Sequence, residues 1–154
     1  MQSTSYRKIM IATDGSVLGK KAIAYGVEIA RLSAAKLYAV YVIAGGGRHI
    51  IPPRDMGWEK AMKEHLQSEG AEATAYVEKA GKAAGLETEA VILEGHPADE
   101  IVKFSEENDI DLVVMGTLGK SGVERFLLGS VAEKVVRNSK KAVLVVRGEK
   151  ESEA

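Results

Sequence analysis

Strand-like and helix-like segments alternate along the whole chain, and this alternation limits the possible folds more than any other feature. The predicted strands span residues 8–13, 37–43, 86–93, 111–115 and 142–146. The segments between them repeat apolar residues every three or four positions, as helices do. Because neighbouring parallel strands need a crossover connection, the alternation predicts a five-stranded parallel sheet with helices on both faces. We therefore expect a single doubly wound α/β domain over residues 1–154, with the partly acidic third strand near an edge.

Apolar spacing also predicts the buried face of each helix. In the first helix, at residues 17–32, the predicted face consists of Leu18, Ala22, Tyr25, Ile29 and Leu32. The second helix begins near Met56, and its predicted face consists of Trp58, Met62, Leu66, Ala73, Val77, Ala80 and Ala84. Gly70 and Gly81 are predicted weak points, because glycine costs about 1 kcal/mol inside a helix. The third helix starts at Pro97 and is expected to bury Ala98, Ile101 and Phe104.

Charge and composition limit the possible partners. The chain has 21 basic and 22 acidic residues and lacks the basic stripe that binding to a phosphate backbone needs. No apolar run approaches the ~20 residues that span a bilayer, and the N-terminus lacks the apolar stretch of a secretory signal. Cysteine is absent, which fits a reducing compartment. We expect a cytoplasmic protein that binds neither nucleic acid nor membrane.

Two predicted strand ends carry residues suited to a sugar and to an anion. In an open parallel sheet, ligands bind beyond the carboxyl ends of the strands, where the strand order reverses. Asp14 follows the first strand, and a glycine-rich segment from Gly116 to Ser130 follows the fourth. Glycine lets backbone N–H groups approach an anion, and a helix beginning at Ser130 would present unpaired N–H groups. If both ends meet, Asp14 can accept a hydrogen bond from a ribose hydroxyl beside a phosphate site.

Other residues of the glycine-rich segment could strengthen this site. Lys120 and Arg125 would supply positive charge, and Ser121 would supply a hydroxyl donor. Gly129 is expected to adopt a positive φ, which a branched side chain would oppose. Each feature alone also has a structural explanation, because glycine and serine commonly form turns and helix caps. Their convergence at one crevice favours nucleotide binding.

The spacing of the glycines resembles a known signature. Gly116-x-x-Gly119, then nine residues, then Gly129-Ser130 match the nucleotide-binding signature of the universal stress protein family. The resemblance covers the whole chain, through Ser16 and residues 11–14, 40–43, 95–97, 111–116 and 143–146. One departure is Ala142, preceded by lysine where the family often has proline.

The resemblance implies a Rossmann-like sheet of order 3-2-1-4-5 and a homodimer that pairs through residues 142–146. It implies ATP, or ADP or AMP, as the ligand, with Mg²⁺ bound through the phosphates. By position, the adenine and ribose contacts would be Ala12, Asp14 and Val42. The phosphate contacts would be Gly116, Gly119, Lys120, Ser121, Gly129, Ser130 and Val131. The implied function is a nucleotide-loaded regulatory or sensor module in a stress response, acting on an unidentified protein partner.

No catalytic or metal-binding pattern is found in the sequence. His49, His65 and His96 lack metal-ligand spacing, and no side chain has an identifiable role as a base. We expect His65 on a helix surface and His96 at a helix start. Two alternatives to a regulatory module remain open: a slow Mg²⁺-dependent ATPase or phosphotransferase, and a nucleotide-free dimeric scaffold.

The segment from Gly45 to Gly57 is predicted to be mostly loop, because it contains three consecutive glycines and two consecutive prolines. Its mixed basic and apolar residues suit a flap beside the nucleotide or an exposed partner surface. Plain disorder is an equal alternative.

Overall fold

The structure is a computed structural model, and it describes residues 5–45, 56–117 and 128–148. Strands and helices follow one another in the predicted alternation, with small shifts at their ends. The elements are β1 Lys8–Ala12, α1 Lys20–Ser33, β2 Lys36–Ala44, α2 Met56–Ala83, β3 Thr88–Gly95, α3 Pro97–Glu107, β4 Leu112–Gly116, α4 Ser130–Asn138 and β5 Ala142–Val146. Most of the predicted loop after Gly45, residues 46–55, lies outside the described residues.

The five strands form one parallel sheet in the order β3-β2-β1-β4-β5. β1 is central, and its Ile9 is in register with Leu37 of β2 and with Leu112 of β4. This confirms the predicted fold class and strand order. The chain leaves β1 towards one edge and crosses back to β4, so the strand order reverses between β1 and β4.

Alternate side chains of the sheet enter two separate layers of the core. Ile9 and Ile11 pack with residues of α1 and α2, whereas Met10 packs with residues of α3 and α4. All three side chains are fully buried. Successive residues of a strand point to opposite faces, so a strand buried on both faces reads as a continuous apolar run.

The predicted buried face of α1 is partly wrong. Tyr25 and Leu32 are 50% and 71% exposed, whereas the buried residues of the helix are Ala22, Ile23, Gly26 and Ala30. A β-carbon on Gly26 would lie 2.6 Å from Cδ1 of Ile11. Small residues therefore face the sheet, and the helix backbone lies close to β1. The helix also starts later than predicted, because residues 17–19 form a short 3-10 turn.

The predicted face of α2 is correct from Leu66 onwards, because Leu66 packs partly buried against the core. Ala73 and Val77 are buried, but Trp58 and Met62 near its start are 57% and 37% exposed. Both predicted weak points, Gly70 and Gly81, lie in close contact with the sheet. A β-carbon on Gly70 would lie 2.9 Å from Cδ1 of Tyr41, and one on Gly81 would overlap Oγ1 of Thr88.

β3 and β5 form the two edges of the sheet. β3 is an edge strand, as its acidic and apolar alternation predicts, and the side chain of Ile92 is 41% exposed. β5 forms the opposite edge, with β4 as its neighbour. Within the described residues, no helix combines the length and the apolar composition needed to cross a bilayer.

Candidate functional site

A cavity of about 470 Å³ opens at the carboxyl ends of β1 and β4, where the strand order reverses. Its walls come from the ends of β1, β2 and β4 and from the first turns of α3 and α4. The lining residues are Ala12, Thr13, Asp14, Gly19, Val40, Tyr41, Val42, Ala44, Leu66, Pro97, Ile101, Met115, Gly116, Thr117, Gly129, Ser130, Val131 and Ala132. A concave site with apolar walls and a few convergent polar groups is typical of ligand-binding sites.

The turn after β1 holds the Asp14 carboxylate at the rim of the cavity. The N–H of Thr13 donates to the carbonyl oxygen of Val40 at 2.9 Å, which ties the end of β1 to β2. The N–H of Ser16 donates to Oδ1 of Asp14, also at 2.9 Å. Within the described part of the chain Oδ2 has no recorded partner, so it can accept a hydrogen bond from a ligand hydroxyl. Gly15 makes this tight turn possible with a φ of +78°.

The first turn of α4 presents backbone donors to the same cavity. Gly129 is the N-cap residue and makes no side-chain cap. Its carbonyl oxygen accepts a hydrogen bond from Glu133 N–H at 2.9 Å. The N–H groups of Ser130 and Val131 precede the first helical hydrogen bond and so lack intrahelical acceptors. Together with the helix dipole they form a site suited to an anion.

Gly129 differs from the prediction in its backbone conformation. Its φ is −70° and its ψ is 164°, an extended conformation that every residue can adopt. The expectation of a positive φ is therefore wrong. Gly129 still lines the cavity.

Much of the remaining lining of the cavity is apolar. Val40, Ile101 and Met115 are each at least 95% buried, and they line the cavity together with Val42 and Pro97. β2 carries Val42 to this position because it is longer than β1 and continues past its end. A flat, weakly polar group fits between such walls, while strand-end backbone groups can supply hydrogen bonds.

The cavity brings together the predicted contact residues that the structure describes: Ala12, Asp14, Val42, Gly116, Gly129, Ser130 and Val131. Gly119, Lys120, Ser121 and Arg125 lie outside the described residues. The sequence prediction missed Thr13 and Thr117, which directly follow β1 and β4 in the structure. It also missed Val40, Pro97, Ile101 and Met115, whose apolar character is equally well explained by the core.

A second, smaller cavity of about 290 Å³ lies across the turn after β1, between α1 and α2. Thr13 and Asp14 line both cavities. Lys20 lies in the smaller one, and its Nζ is 5.2 Å from the centre of the Tyr76 ring. The start of α4 and the end of β4 do not line it, so it lacks the backbone donors that make the larger cavity suitable for an anion.

His65 and His96 lie where the sequence predicts. His65 lies on the surface of α2, where its Nε2 is 3.3 Å from Oε1 of Glu69. His96 is the N-cap residue of α3, and His49 lies outside the described residues. In residues 5–45, 56–117 and 128–148, no three histidine or acidic side chains lie close enough together to hold a metal ion.

Charged groups with perturbed pKa values lie away from the cavity. The hydrogen bond from Arg31 to Glu28 on the surface of α1 lowers the pKa of the Glu28 carboxyl. Nζ of Lys36 lies 3.1 Å from Oε2 of Glu89, and this contact raises the pKa of Lys36. Lys36 is the first residue of β2 and so lies at the amino-terminal end of the strand, whereas the cavity lies at the carboxyl ends. These pairs therefore belong to the protein surface and not to the site.

The fold and the position of the cavity define the class: a Rossmann-like α/β protein with a candidate ligand site at the topological switch point. The sequence profile of the universal stress protein family matches residues 5–147. Universal stress protein MJ0531 of Methanocaldococcus jannaschii is 44% identical over 142 residues, which cover 92% of this chain and 82% of that relative. The chain belongs to the universal stress protein family.

Solved structures support the same assignment. The structure of MJ0577 from Methanocaldococcus jannaschii superposes with a TM-score of 0.83 at 30% identity, covering 96% of this chain and 100% of that one. A universal stress protein in complex with cAMP gives 0.70 at 28% identity, with 95% and 100% covered. One from Archaeoglobus fulgidus in complex with dAMP gives 0.67 at 27% identity, with 93% and 99% covered.

Proposed function

We propose that this chain binds ATP, or a closely related adenine nucleotide, in the larger cavity and acts as a nucleotide-loaded regulatory module. The observation that carries the proposal is that Asp14 and the first turn of α4 line one cavity whose remaining lining is largely apolar. Structural relatives in complex with cAMP and with dAMP support an adenine nucleotide as the ligand.

In the proposed arrangement, the adenine base lies against Ala12 and Val42, and a ribose hydroxyl donates to Oδ2 of Asp14. The phosphates lie at the backbone N–H groups of Ser130 and Val131, close to Gly116 and Gly129. Gly119, Lys120 and Ser121 of the glycine signature would complete the phosphate contacts. Mg²⁺ would bind through the phosphate oxygens, as it commonly does with nucleotides.

Calorimetry on nucleotide-stripped protein with ATP, ADP, AMP and adenosine tests this proposal. We expect micromolar binding of ATP, equivalent to about −8 kcal/mol, and weaker binding of adenosine, because most of the donors lie at the phosphate end. Mass spectrometry of small molecules released from the purified, denatured protein provides an independent readout. If folded, stripped protein binds none of the four ligands at millimolar concentration, the proposal is wrong.

We also propose that the protein is a homodimer in which β5 pairs with β5 of a second subunit. The supporting observation is that β5 lies at the edge of the sheet. An uncovered apolar edge strand invites uncontrolled pairing, and a symmetric dimer would cover it. The proposed setting is the cytoplasm, which the cysteine-free composition fits, and the module would act on a protein partner through its surface.

A further inference from the structure

Thr117 is a buried polar residue of the cavity, and it occupies the first variable position of the Gly116-x-x-Gly119 signature, where the signature specifies no side chain. The residue is 7% exposed, and it lines the cavity directly after β4. Its hydroxyl has no recorded hydrogen bond within the described part of the chain.

The backbone around Thr117 is fixed on both sides. Its N–H donates to the carbonyl oxygen of Val146 at 3.0 Å, and its carbonyl oxygen accepts from the N–H of Gly129 at 2.6 Å. A β-branched side chain on a fixed backbone has few rotamers to choose from. The hydroxyl therefore has few possible positions beside the residue that caps α4, and no partner for it is found among residues 5–45, 56–117 and 128–148.

We propose that the Thr117 hydroxyl donates a hydrogen bond to a phosphoryl group bound at the start of α4, and so helps the site prefer phosphorylated ligands over the bare nucleoside. This inference rests on the proposed nucleotide function. The hydrogen bond between Gly129 and Thr117 places the residue at the anion end rather than at the apolar end near Val42. A buried hydroxyl normally has a partner, and a ligand phosphate would supply one.

The test compares Thr117→Val, which removes the hydroxyl and keeps the shape, with Thr117→Ser, which keeps the hydroxyl. Calorimetry measures AMP and adenosine binding for each variant. We expect Thr117→Val to weaken AMP binding by roughly 10- to 100-fold and adenosine binding by less than about 3-fold. Thr117→Ser should restore most of the AMP affinity. Thr117→Ala, which also lacks the hydroxyl, should show the same selective loss if the valine variant folds poorly.

Thermal unfolding without ligand separates this role from a structural one. Replacing an unpartnered hydroxyl with a methyl group should leave the melting temperature of Thr117→Val unchanged or higher. Thr74→Val is the matched control, because the Thr74 hydroxyl is also buried but donates to the carbonyl oxygen of Gly70 at 2.9 Å. That control should lower the melting temperature and leave the ratio of AMP to adenosine affinity unchanged.

Two results would overturn the inference: unchanged AMP affinity in both hydroxyl-free variants, or an equal loss for AMP and adenosine. Either result requires that the wild-type protein binds AMP, so it leaves the proposed function intact. Absence of AMP and ATP binding by the wild-type protein would instead contradict the proposed function itself.

Discussion

At the scale of single residues, Asp14 has two tasks that can be separated by experiment. Oδ1 accepts the N–H of Ser16 and so shapes the turn, while Oδ2 is the proposed acceptor for a ribose hydroxyl. Asp14→Ala should weaken ATP binding by about 1.5–3 kcal/mol, the usual value of a hydrogen bond to a charged acceptor. Calorimetry with ATP and with its 2′,3′-dideoxy analogue provides the measurement, because the analogue lacks the hydroxyl donors.

The variant and the wild type should bind the dideoxy analogue with nearly equal affinity. Asp14→Asn is the control for the turn, since its amide oxygen can still accept the N–H of Ser16. A variant that loses affinity equally for both ligands would mean that Asp14 does not contact the ribose.

Gly129 tests the anion end of the cavity. With a φ of −70° the backbone tolerates a side chain, so Gly129→Val should leave the melting temperature of the free protein nearly unchanged. The added side chain would occupy the space in front of the α4 donors and should abolish ATP binding. For the wild type, ATP at ~100 times its dissociation constant should stabilise folding by ~2.7 kcal/mol.

The thermal shift with ATP is the measurement, and Gly57→Val on α2 is the matched control, because a β-carbon there meets nothing within 4 Å. The control should keep the full shift. A normal thermal shift with ATP in Gly129→Val would show that the phosphates do not bind at the start of α4.

At the scale of elements, the strands were easier to predict than the helix faces. The strands appear in the sequence as apolar runs because both faces of the sheet are covered. The buried face of α1 could not be read from hydrophobicity, because Gly26 and its small neighbours form the contact while Tyr25 and Leu32 stay outside. The close approach of the α1 backbone to β1 depends on three-dimensional packing, and the spacing of apolar residues does not predict it.

The same reasoning applies to the candidate site. Asp14 and the glycine signature could be predicted because they interrupt apolar strands with turn-forming and polar residues. Thr117 could not, because a threonine at the end of a strand is ordinary and its burial beside the cavity becomes visible only in the structure. The apolar wall at Val40 and Ile101 was hidden for a related reason, since these residues also belong to the core.

The contact between α1 and β1 yields a stability prediction. Gly26→Ala should lower the free energy of unfolding by about 1–2 kcal/mol, because the new methyl group would force Ile11 to move in a filled core. Alanine's better helix propensity offsets part of this cost. Urea unfolding followed by circular dichroism measures the change, with Gly57→Ala as a control that should be neutral or stabilising. An unchanged or higher stability for Gly26→Ala would show that α1 does not lie this close to the sheet.

At the scale of the whole molecule, the proposed dimer depends on which backbone groups of β5 face outwards. The carbonyl oxygen of Val146 accepts the N–H of Thr117, so residue 146 faces β4. Since hydrogen-bonding directions alternate along a strand, the N–H of Val145 points to the free edge. Val145→Pro should therefore break pairing with a second subunit while keeping the ladder to β4.

Light scattering at tens of micromolar measures this outcome, with a dimer expected for the wild type and a monomer for Val145→Pro. Leu144→Pro is the contrasting variant, because it removes an N–H that faces β4 and should destabilise the fold itself. A monomeric wild type, or a Val145→Pro variant that stays dimeric, would contradict pairing through β5.

The exposed start of α2 has a practical consequence for spectroscopy. Trp58 is the single tryptophan of the chain, and it stands on α2 eight residues before Leu66, which lines the larger cavity. Eight residues of helix span about 12 Å. Because Trp58 is more than half exposed, we expect its fluorescence emission maximum to lie close to that of the unfolded chain. Intrinsic fluorescence therefore gives a weak signal for global unfolding and serves better as a label-free optical probe of events at the rim of the cavity.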